Sequence, residues 1–282
     1  MLRPVAAGID GSPESLAAAH WAAREALRRG TALRLVHAWQ WHEPSAGSAR
    51  SDVPRRDRAE DLLTGVADGL CAAHPGLRVL GRPAEDAPVT ALLAAADEAD
   101  LLVLGSRGLG GATGYLLGSI SQRIVSRSPV PVVLVRAGTP DRDREVVLGL
   151  GTGQTYDEVV AFAFHAARLR GAVLHAVHVY GAPDPVTAPR LAREDGPRLL
   201  AEHEQAVVAA LGPWCGKFPD VPVAETVLEG RPGADLVRAA AGAALVVVGR
   251  RERESRFGTY LGPVAHAALH HADCPVAVVP HT

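Results

Sequence analysis

The sequence predicts an α/β protein of two tandem doubly wound domains, each a parallel sheet with helices on both faces. Three features indicate this class: apolar strands alternate with helical stretches, the chain repeats itself, and a glycine-rich stretch follows one strand. Strands that are apolar throughout are typical of parallel sheets covered on both sides. A length of 282 residues is long for one domain and ordinary for two.

The repeat gives the domain boundaries. A shift of 141 positions places His37 on His178, and a shift of 144 places Gly105 on Gly249. A loop that differs by three residues between positions 38 and 71 accounts for the change of shift. We therefore expect domains at 1–138 and 144–282. They are joined by RAGTPDRDR, which has the charged, Gly- and Pro-containing composition of a linker.

The first copy begins with the strand VAAGI at 5–9. Ser12 is placed to N-cap a helix with Pro13 at its first position, and Gly30 is placed to end it after Arg29. The remaining elements follow the same alternation. Further strands are predicted at 32–38, 77–85, 101–105 and 130–135, and helices at 57–73, 88–98 and 118–127. The second copy has strands near 145–150, 172–179, 221–228, 244–249 and 275–279.

Composition excludes several classes of protein. A net charge of −2 gives no electrostatic case for nucleic acid or an acidic membrane surface, so neither is an expected partner. Three cysteines without a CxxC pair favour a reducing compartment, and no apolar run approaches the roughly 20 residues of a membrane span. We therefore expect a cytoplasmic location, because Asp10 also interrupts the start before a secretory segment forms.

The stretch GSRGLGGATGYLLGSIS, residues 105–121, is the main candidate for a site. It follows a strand and ends at a helix N-terminus, where glycine backbone N–H groups and the helix dipole favour a phosphate. Ligands of open parallel sheets sit beyond the carboxyl ends of strands where the strand order reverses. Arg107 is its one cation, and either phosphate binding or pairing with a nearby acid would explain it. The alternative for the stretch is a flexible loop with glycines for turns.

The spacing G-x2-G-x9-G-S, formed by Gly105, Gly108, Gly118 and Ser119, resembles the nucleotide-binding signature of the universal stress protein family, in its ATP-binding branch. The resemblance extends to four other segments and covers nearly the whole chain as two domains. These segments are VAAGIDGSPES, RLVHAW, LLVLGSRG and SPVPVVLVR.

This resemblance implies a five-stranded parallel sheet of order 3-2-1-4-5, with its reversal between strands one and four. An acid at the position of Asp10 would bond the ribose hydroxyls, and the residue at Ala38 would touch adenine. The phosphates of ATP would be held by the four signature residues, with Mg²⁺ or Mn²⁺ in some members, and Arg107 is a further candidate contact from the residues alone. The alternative for Asp10 is a turn or cap residue before Gly11.

The second copy departs from the signature at three positions. Glu252 stands where the first copy has Gly108, Pro263 where it has Ser119, and Gly151 where it has Asp10. A glutamate adds negative charge and a proline removes a hydroxyl and an N–H donor. We therefore expect that this domain does not hold ATP in the family manner. The arginines of its loop favour a solvated, salt-bridged segment over a separate anion site; they are Arg250, Arg251, Arg253 and Arg256.

The histidines leave alternatives open. The i, i+4 pair His266 and His270 has zinc-chelating spacing, but histidines at a helix C-terminus also suit the dipole. His175 and His178 lie at odd spacing on a strand and should face opposite ways. His37 either lines the nucleotide pocket or packs as a capped histidine. No metal-ligating and no catalytic residue is predicted.

The function expected from these features is that of a nucleotide-dependent regulatory module in stress responses, read by an unidentified protein partner. No general base is evident near a γ-phosphate, which favours binding over the alternative of a slow ATPase. A nucleotide-free scaffold is the third class. In the resembled family, edge strands corresponding to VPVVLV and CPVAVV meet in dimers. The resemblance thus implies an intra-chain pseudo-dimer, and it is compatible with a further homodimer.

Overall fold

A computed structural model describes residues 3–39, 53–106, 117–139, 145–151, 156–181, 196–251 and 261–282 of the chain. The chain divides into two compact units, Met1–Thr139 and Pro140–Thr282. We refer to them as the first and second domains.

The first domain contains nine described elements. They are β1 (Val5–Gly8), α1 (Pro13–Arg29), β2 (Leu33–Trp39), α2 (Val53–Ala73), β3 (Val79–Glu85), α3 (Pro88–Asp97), β4 (Leu101–Gly105), α4 (Ser119–Arg127) and β5 (Val132–Val135). The described elements of the second domain are β6 (Glu145–Gly149), α5 (Asp157–Arg170), β7 (Val173–Tyr180), α6 (Gly196–Lys217), β8 (Val223–Glu229), α7 (Pro232–Ala239), β9 (Leu245–Arg251), α8 (Pro263–His271) and β10 (Val276–His281).

Each domain has a sheet in which neighbouring strands run parallel. The order is β3-β2-β1-β4-β5 in the first domain and β8-β7-β6-β9-β10 in the second. The predicted fold class and strand order are therefore confirmed. The order reverses between β1 and β4, and between β6 and β9, so each domain has one switch point where a doubly wound sheet binds ligands.

Local chemistry sets the ends of α1. Ser12 adopts an extended conformation, and its Oγ accepts a hydrogen bond of 3.2 Å from the Ser15 N–H, which caps the helix. Pro13 occupies the first position. The helix ends where Gly30 turns to a left-handed φ of 63°, a conformation that glycine adopts without strain. The predicted start and stop of this helix are confirmed.

The core depends on small residues where helices meet strands. A Cβ atom placed on Gly8 in β1 would lie 2.6 Å from Leu104 Cδ2 and 2.9 Å from Leu92 Cδ2. The equivalent Gly149 in β6 would bring a Cβ 2.7 Å from Leu236 Cδ2. Both glycines thus make room for a leucine of the helix that packs on that face. Close packing of this kind explains why the repeat keeps glycine at the two positions.

The structure corrects one sequence interpretation. Arg250 and Arg251 belong to β9 rather than to a solvated loop, and Arg250 is only 5% exposed. The apolar run LVVVG therefore continues as a strand two residues further than its hydropathy indicates. Arg253 and Arg256 lie outside the described residues. In the described part of the chain, no helix is long and apolar enough to cross a membrane.

Candidate functional site

The carboxyl end of β1 is anchored to β2 through one residue. The Ile9 N–H donates to the Val36 carbonyl at 2.8 Å, and the His37 Nδ1 donates to the Ile9 carbonyl at 2.6 Å. Both polar groups of Ile9 are therefore bonded to β2 before the chain turns away at Asp10. His37 thus has the packed, hydrogen-bonded role that was one of its two interpretations.

Asp10 lies partly buried at the turn into α1. Its Oδ1 accepts hydrogen bonds from the Ser12 N–H at 2.9 Å and from the Ser12 Oγ at 2.5 Å. Gly11 between them has a φ of 83°, which only glycine adopts readily. One carboxylate oxygen of Asp10 therefore holds the turn, as the capping alternative predicted, and the turn fixes the orientation of the carboxylate.

Gly105 ends β4 directly against the start of α1. A Cβ atom on Gly105 would lie 2.8 Å from the carbonyl carbon of Glu14 and 2.9 Å from the Ser15 nitrogen. Ser15 also reaches Asp10, whose N–H donates to the Ser15 Oγ at 3.3 Å. Ser15 thus joins the ends of β1 and β4. The backbone packing requires glycine at position 105 whether or not a phosphate binds there.

Two hydrogen bonds join the end of β4 to the start of α4, and we call this junction the neck. The Gly118 N–H donates to the Ser106 carbonyl at 2.9 Å, and the Ser121 Oγ donates to the Gly105 carbonyl at 2.9 Å. The N–H of Gly118 is therefore engaged within the protein. Arg107 and Gly108, two predicted phosphate contacts, lie outside the described residues.

The N-terminus of α4 offers the donors that the neck does not use. The first intrahelical bond runs from the Gln122 N–H to the Gly118 carbonyl, at 2.9 Å. The N–H groups of residues 119–121 consequently have no partner within the helix, as in the first turn of any α-helix. Ser119 is exposed at the first helical position. A helix start of this kind favours an anion.

The predicted residues therefore fall into two groups. Asp10 and Gly105 meet through Ser15, and Gly118 and Ser119 join them through the neck and the Ser121 bond. Ala38 lies one strand away on β2, directly after His37 and paired with Ala84 of β3.

The corresponding edge of the second domain is built differently. A Cβ on Gly151 would lie 2.5 Å from the Tyr156 hydroxyl oxygen, and one on Gly249 would lie 3.2 Å from Tyr156 Cε1. The Tyr156 ring therefore lies against the positions equivalent to Asp10 and Gly105. It also packs on the His281 ring, with centroids 4.6 Å apart. Glu252, one of the three departures from the signature, lies outside the described residues.

A cavity of about 380 Å³ lies at this edge, beside the ends of β6, β7 and β9. Its polar side includes a hydrogen-bonded histidine pair, with His178 Nε2 2.9 Å from His203 Nδ1. The His203 ring stacks on Tyr180 at 4.2 Å and 10°. His175 turns instead to Thr226 and Glu145, which confirms that the two histidines of β7 face opposite ways.

Sequence reasoning missed Tyr156, Tyr180 and His203. One signal was available, since Tyr180 follows His178 by two residues and must share its face of the strand. His203 comes from α6, and no sequence spacing connects it to β7.

Two histidines of α8 lie next to each other on the helix. The His266 and His270 rings stack with centroids 4.2 Å apart. Within the described ranges, no group of three or more His, Cys, Asp or Glu residues is placed to hold a metal ion.

The fold and its two switch points define a tandem doubly wound α/β protein with one candidate crevice in each domain. The universal stress protein family model matches residues 1–136 and again 144–280. Universal stress protein Rv2005c of Mycobacterium tuberculosis is 34% identical over 286 residues, which cover 97% of this chain and 96% of that protein. The chain therefore belongs to the universal stress protein family.

The fold of nearly the whole chain matches that of a solved structure. The crystal structure of a universal stress protein from Archaeoglobus fulgidus has a TM-score of 0.70 and 21% identity, and the match covers 99% of this chain and 98% of that one. At that identity the likeness shows the fold. A universal stress protein crystallised in complex with cAMP is 32% identical, with a TM-score of 0.38, and matches 49% of this chain and 98% of that one.

Proposed function

We propose that the first domain binds ATP between Asp10 and the loop after β4, and that the chain acts as a nucleotide-dependent regulatory module in the stress response. One observation carries the proposal. The Ser15 Oγ accepts from the backbone N–H of Asp10, and the backbone of Ser15 packs on Gly105, so Asp10 and its carboxylate lie beside the glycine that ends the neighbouring strand, at the point where the strand order reverses. That point is where doubly wound sheets bind nucleotides.

The residues present suit the parts of an adenine nucleotide. The Asp10 carboxylate would accept from the ribose hydroxyls, and its orientation is already fixed by Ser12. The start of α4 would donate N–H groups to the phosphates, together with Ser119 Oγ. Arg107 and Gly108 are proposed as further phosphate contacts, and Ala38 as an adenine contact. A divalent cation, Mg²⁺ or Mn²⁺, would come with the triphosphate.

The experiment is to identify and then titrate the nucleotide. Freshly purified full chain is denatured and the released small molecules are analysed by mass spectrometry. Isothermal titration with ATP, AMP and cAMP then ranks the adenylates. We expect ATP to be released and to bind with the highest affinity. A protein that releases no adenylate and gives no binding heat with any of the three would overturn the proposal.

The variant Asp10→Asn tests the carboxylate without breaking the turn, because the amide oxygen still accepts from Ser12. A hydrogen bond to a charged group contributes about 1.5–3 kcal/mol, so we expect ATP affinity to fall about ten-fold or more. The matched control is Asp68→Asn, which neutralises an exposed carboxylate in α2 of the same domain and should leave the affinity unchanged. Equal affinities for the two variants would remove Asp10 from the site.

A further inference from the structure

The cavity of the second domain has the size and lining of a small-molecule site. Its volume of about 380 Å³ lies within the range of ligand pockets, about 300–1,000 Å³. Apolar side chains form much of its wall, among them Val177, Leu236, Val248 and Val264. Four rings complete it, those of Tyr156, His178, Tyr180 and His203. A pocket with an apolar wall and a few convergent polar groups is the usual form of a binding site.

The described lining of the cavity offers no charged partner for a phosphate. None of the described residues that line it is an aspartate, glutamate, lysine or arginine. Pro263 replaces the serine that starts the equivalent helix in the first domain, so the first N–H donor of α8 is missing as well. Tyr156 covers the glycines equivalent to Asp10 and Gly105. These features disfavour a nucleotide and favour an uncharged ligand, because burying an unpaired charge is costly.

Hydrogen bonding fixes the protons of the histidine pair. The Leu150 carbonyl oxygen can only accept, so the His178 Nδ1 that lies 2.8 Å from it carries a proton. Neutral His178 then has an unprotonated Nε2, which accepts from the His203 Nδ1–H. Neutral His203 is left with Nε2 as a hydrogen-bond acceptor. Within the part of the chain that the structure describes, this nitrogen makes no hydrogen bond.

Burial favours the neutral form of both polar ends of the cavity. Desolvation is the main cause that lowers the pKa of His203; the repulsion that would arise if both it and His178 were charged adds to this, and Glu202 acts in the opposite direction. Desolvation raises the pKa of Tyr180, with smaller contributions from Glu229 and Glu204. At neutral pH the cavity therefore presents an acceptor nitrogen and a neutral phenol rather than ions.

We infer that the second domain binds a flat, uncharged aromatic molecule that carries an N–H or O–H donor, in the cavity lined by Tyr156, Tyr180 and His203. Aromatic ligands pack favourably against side-chain rings in offset or edge-to-face arrangements. The His203 Nε2 accepts a hydrogen bond from the donor of the ligand. The hydrogen bonds from His178 to Leu150 and from His203 to His178 keep the two rings in place. This site is separate from the nucleotide site proposed in the first domain.

The test uses a pair of probes that differ in one hydrogen-bond donor. Indole is flat, uncharged and has one N–H, and 1-methylindole lacks that donor. Titration of the full chain at pH 7.5, saturated with ATP, should give saturable indole binding about five-fold tighter than 1-methylindole binding, the effect of one net hydrogen bond. Absence of saturable indole binding up to millimolar concentration would overturn the inference.

The variant His203→Phe keeps a ring against Tyr180 and removes the acceptor. We expect its preference for indole over 1-methylindole to fall to one or below. The matched control, His271→Phe, replaces an exposed histidine of α8 that does not line the cavity and should keep the five-fold preference. A preference that survives in His203→Phe would contradict the assigned acceptor. Unchanged ATP titration of the first domain provides a check of folding that is independent of this cavity.

Discussion

The two domains share a sheet order and differ in what packs against the end of the strand beside the switch point. In the first domain Gly105 lies against the backbone of Glu14 and Ser15, at the start of α1. In the second domain the equivalent Gly249 lies against the side chains of Tyr156 and His281. Glycine at this position thus packs against backbone in the first domain and against side chains in the second. A helix start beside a strand end suits a polar ligand, and a ring there suits an apolar one.

The most direct test of this difference is to replace each of the two glycines by alanine, which adds one methyl group. Gly105→Ala would force its Cβ into backbone atoms, which cannot rotate away, and we expect about 2–3 kcal/mol of destabilisation of the first domain. Gly249→Ala meets side-chain atoms, 2.9 Å away on His281 and 3.2 Å away on Tyr156, and we expect about 1 kcal/mol or less.

Hydrogen exchange of peptides from each domain measures the two effects separately, since a two-domain chain does not give one unfolding free energy. Protection should fall mainly in the first domain for Gly105→Ala. Equal losses in the two variants would show that the backbone contact at Gly105 has no special rigidity.

The next effect comes from transferring a feature of the second domain to the first. Pro263 begins α8 after Gly262, whose φ and ψ are −58° and 157°. Gly118 before Ser119 has nearly the same angles, −63° and 143°. This conformation is the one a residue before proline prefers, so Ser119→Pro should leave α4 intact. It removes both the N–H and the hydroxyl, and we expect ATP affinity to fall about ten-fold or more.

Ser119→Ala is the control that separates the two groups, because it removes only the hydroxyl. Its loss of ATP affinity in the same titration should be smaller than that of Ser119→Pro. If the proline variant binds ATP like the unaltered chain, with circular dichroism showing the helices retained, the start of α4 does not hold the phosphates.

The smallest expected effect is a pH dependence confined to the second domain. The lowered pKa of His203 means that the neutral ring persists below the ordinary histidine range, beside His178, Tyr180 and Glu202. Acidification through that lowered pKa protonates Nε2 and turns it from an acceptor into a donor. The preference for indole over 1-methylindole should therefore decline as the pH falls below about 6.5, the ordinary histidine value.

Fluorine NMR with 5-fluoroindole follows this binding across pH 5–8 in one sample series. His203→Phe should show no such titration, and a pH profile that persists in this variant would assign the effect to another group. Protonation of His203 also favours the unfolded chain, whose histidine has the higher pKa. The contribution of neutral His203 to the stability of the second domain should therefore be complete above about pH 6.5. It should be lost as the pH falls through the lowered pKa of the folded state.

The sequence predicted most accurately where local chemistry decides the structure. Ser12, Pro13 and Gly30 set the ends of α1 through contacts within a few residues, so the pattern was sufficient. It was less accurate where a neighbouring strand decides, as in β9, which continues through Arg250 because β10 pairs with it as far as His281. The site showed the same division. The position of Asp10 at the end of β1 was predictable from the strand before it, whereas the contacts of Gly105 and His203 depend on helices that are distant along the chain.

The bonds that tie Ile9 to β2 have a counterpart in the second domain, where Leu150 donates to Val177 and accepts from His178. Neither pair of bonds requires an occupant in the crevice. The scaffold of each domain is therefore held by its own hydrogen bonds at the edge where a ligand would enter. Such an edge tolerates a change of ligand without a change of fold. The ligand specificity of one domain could therefore change while that of the other stayed the same.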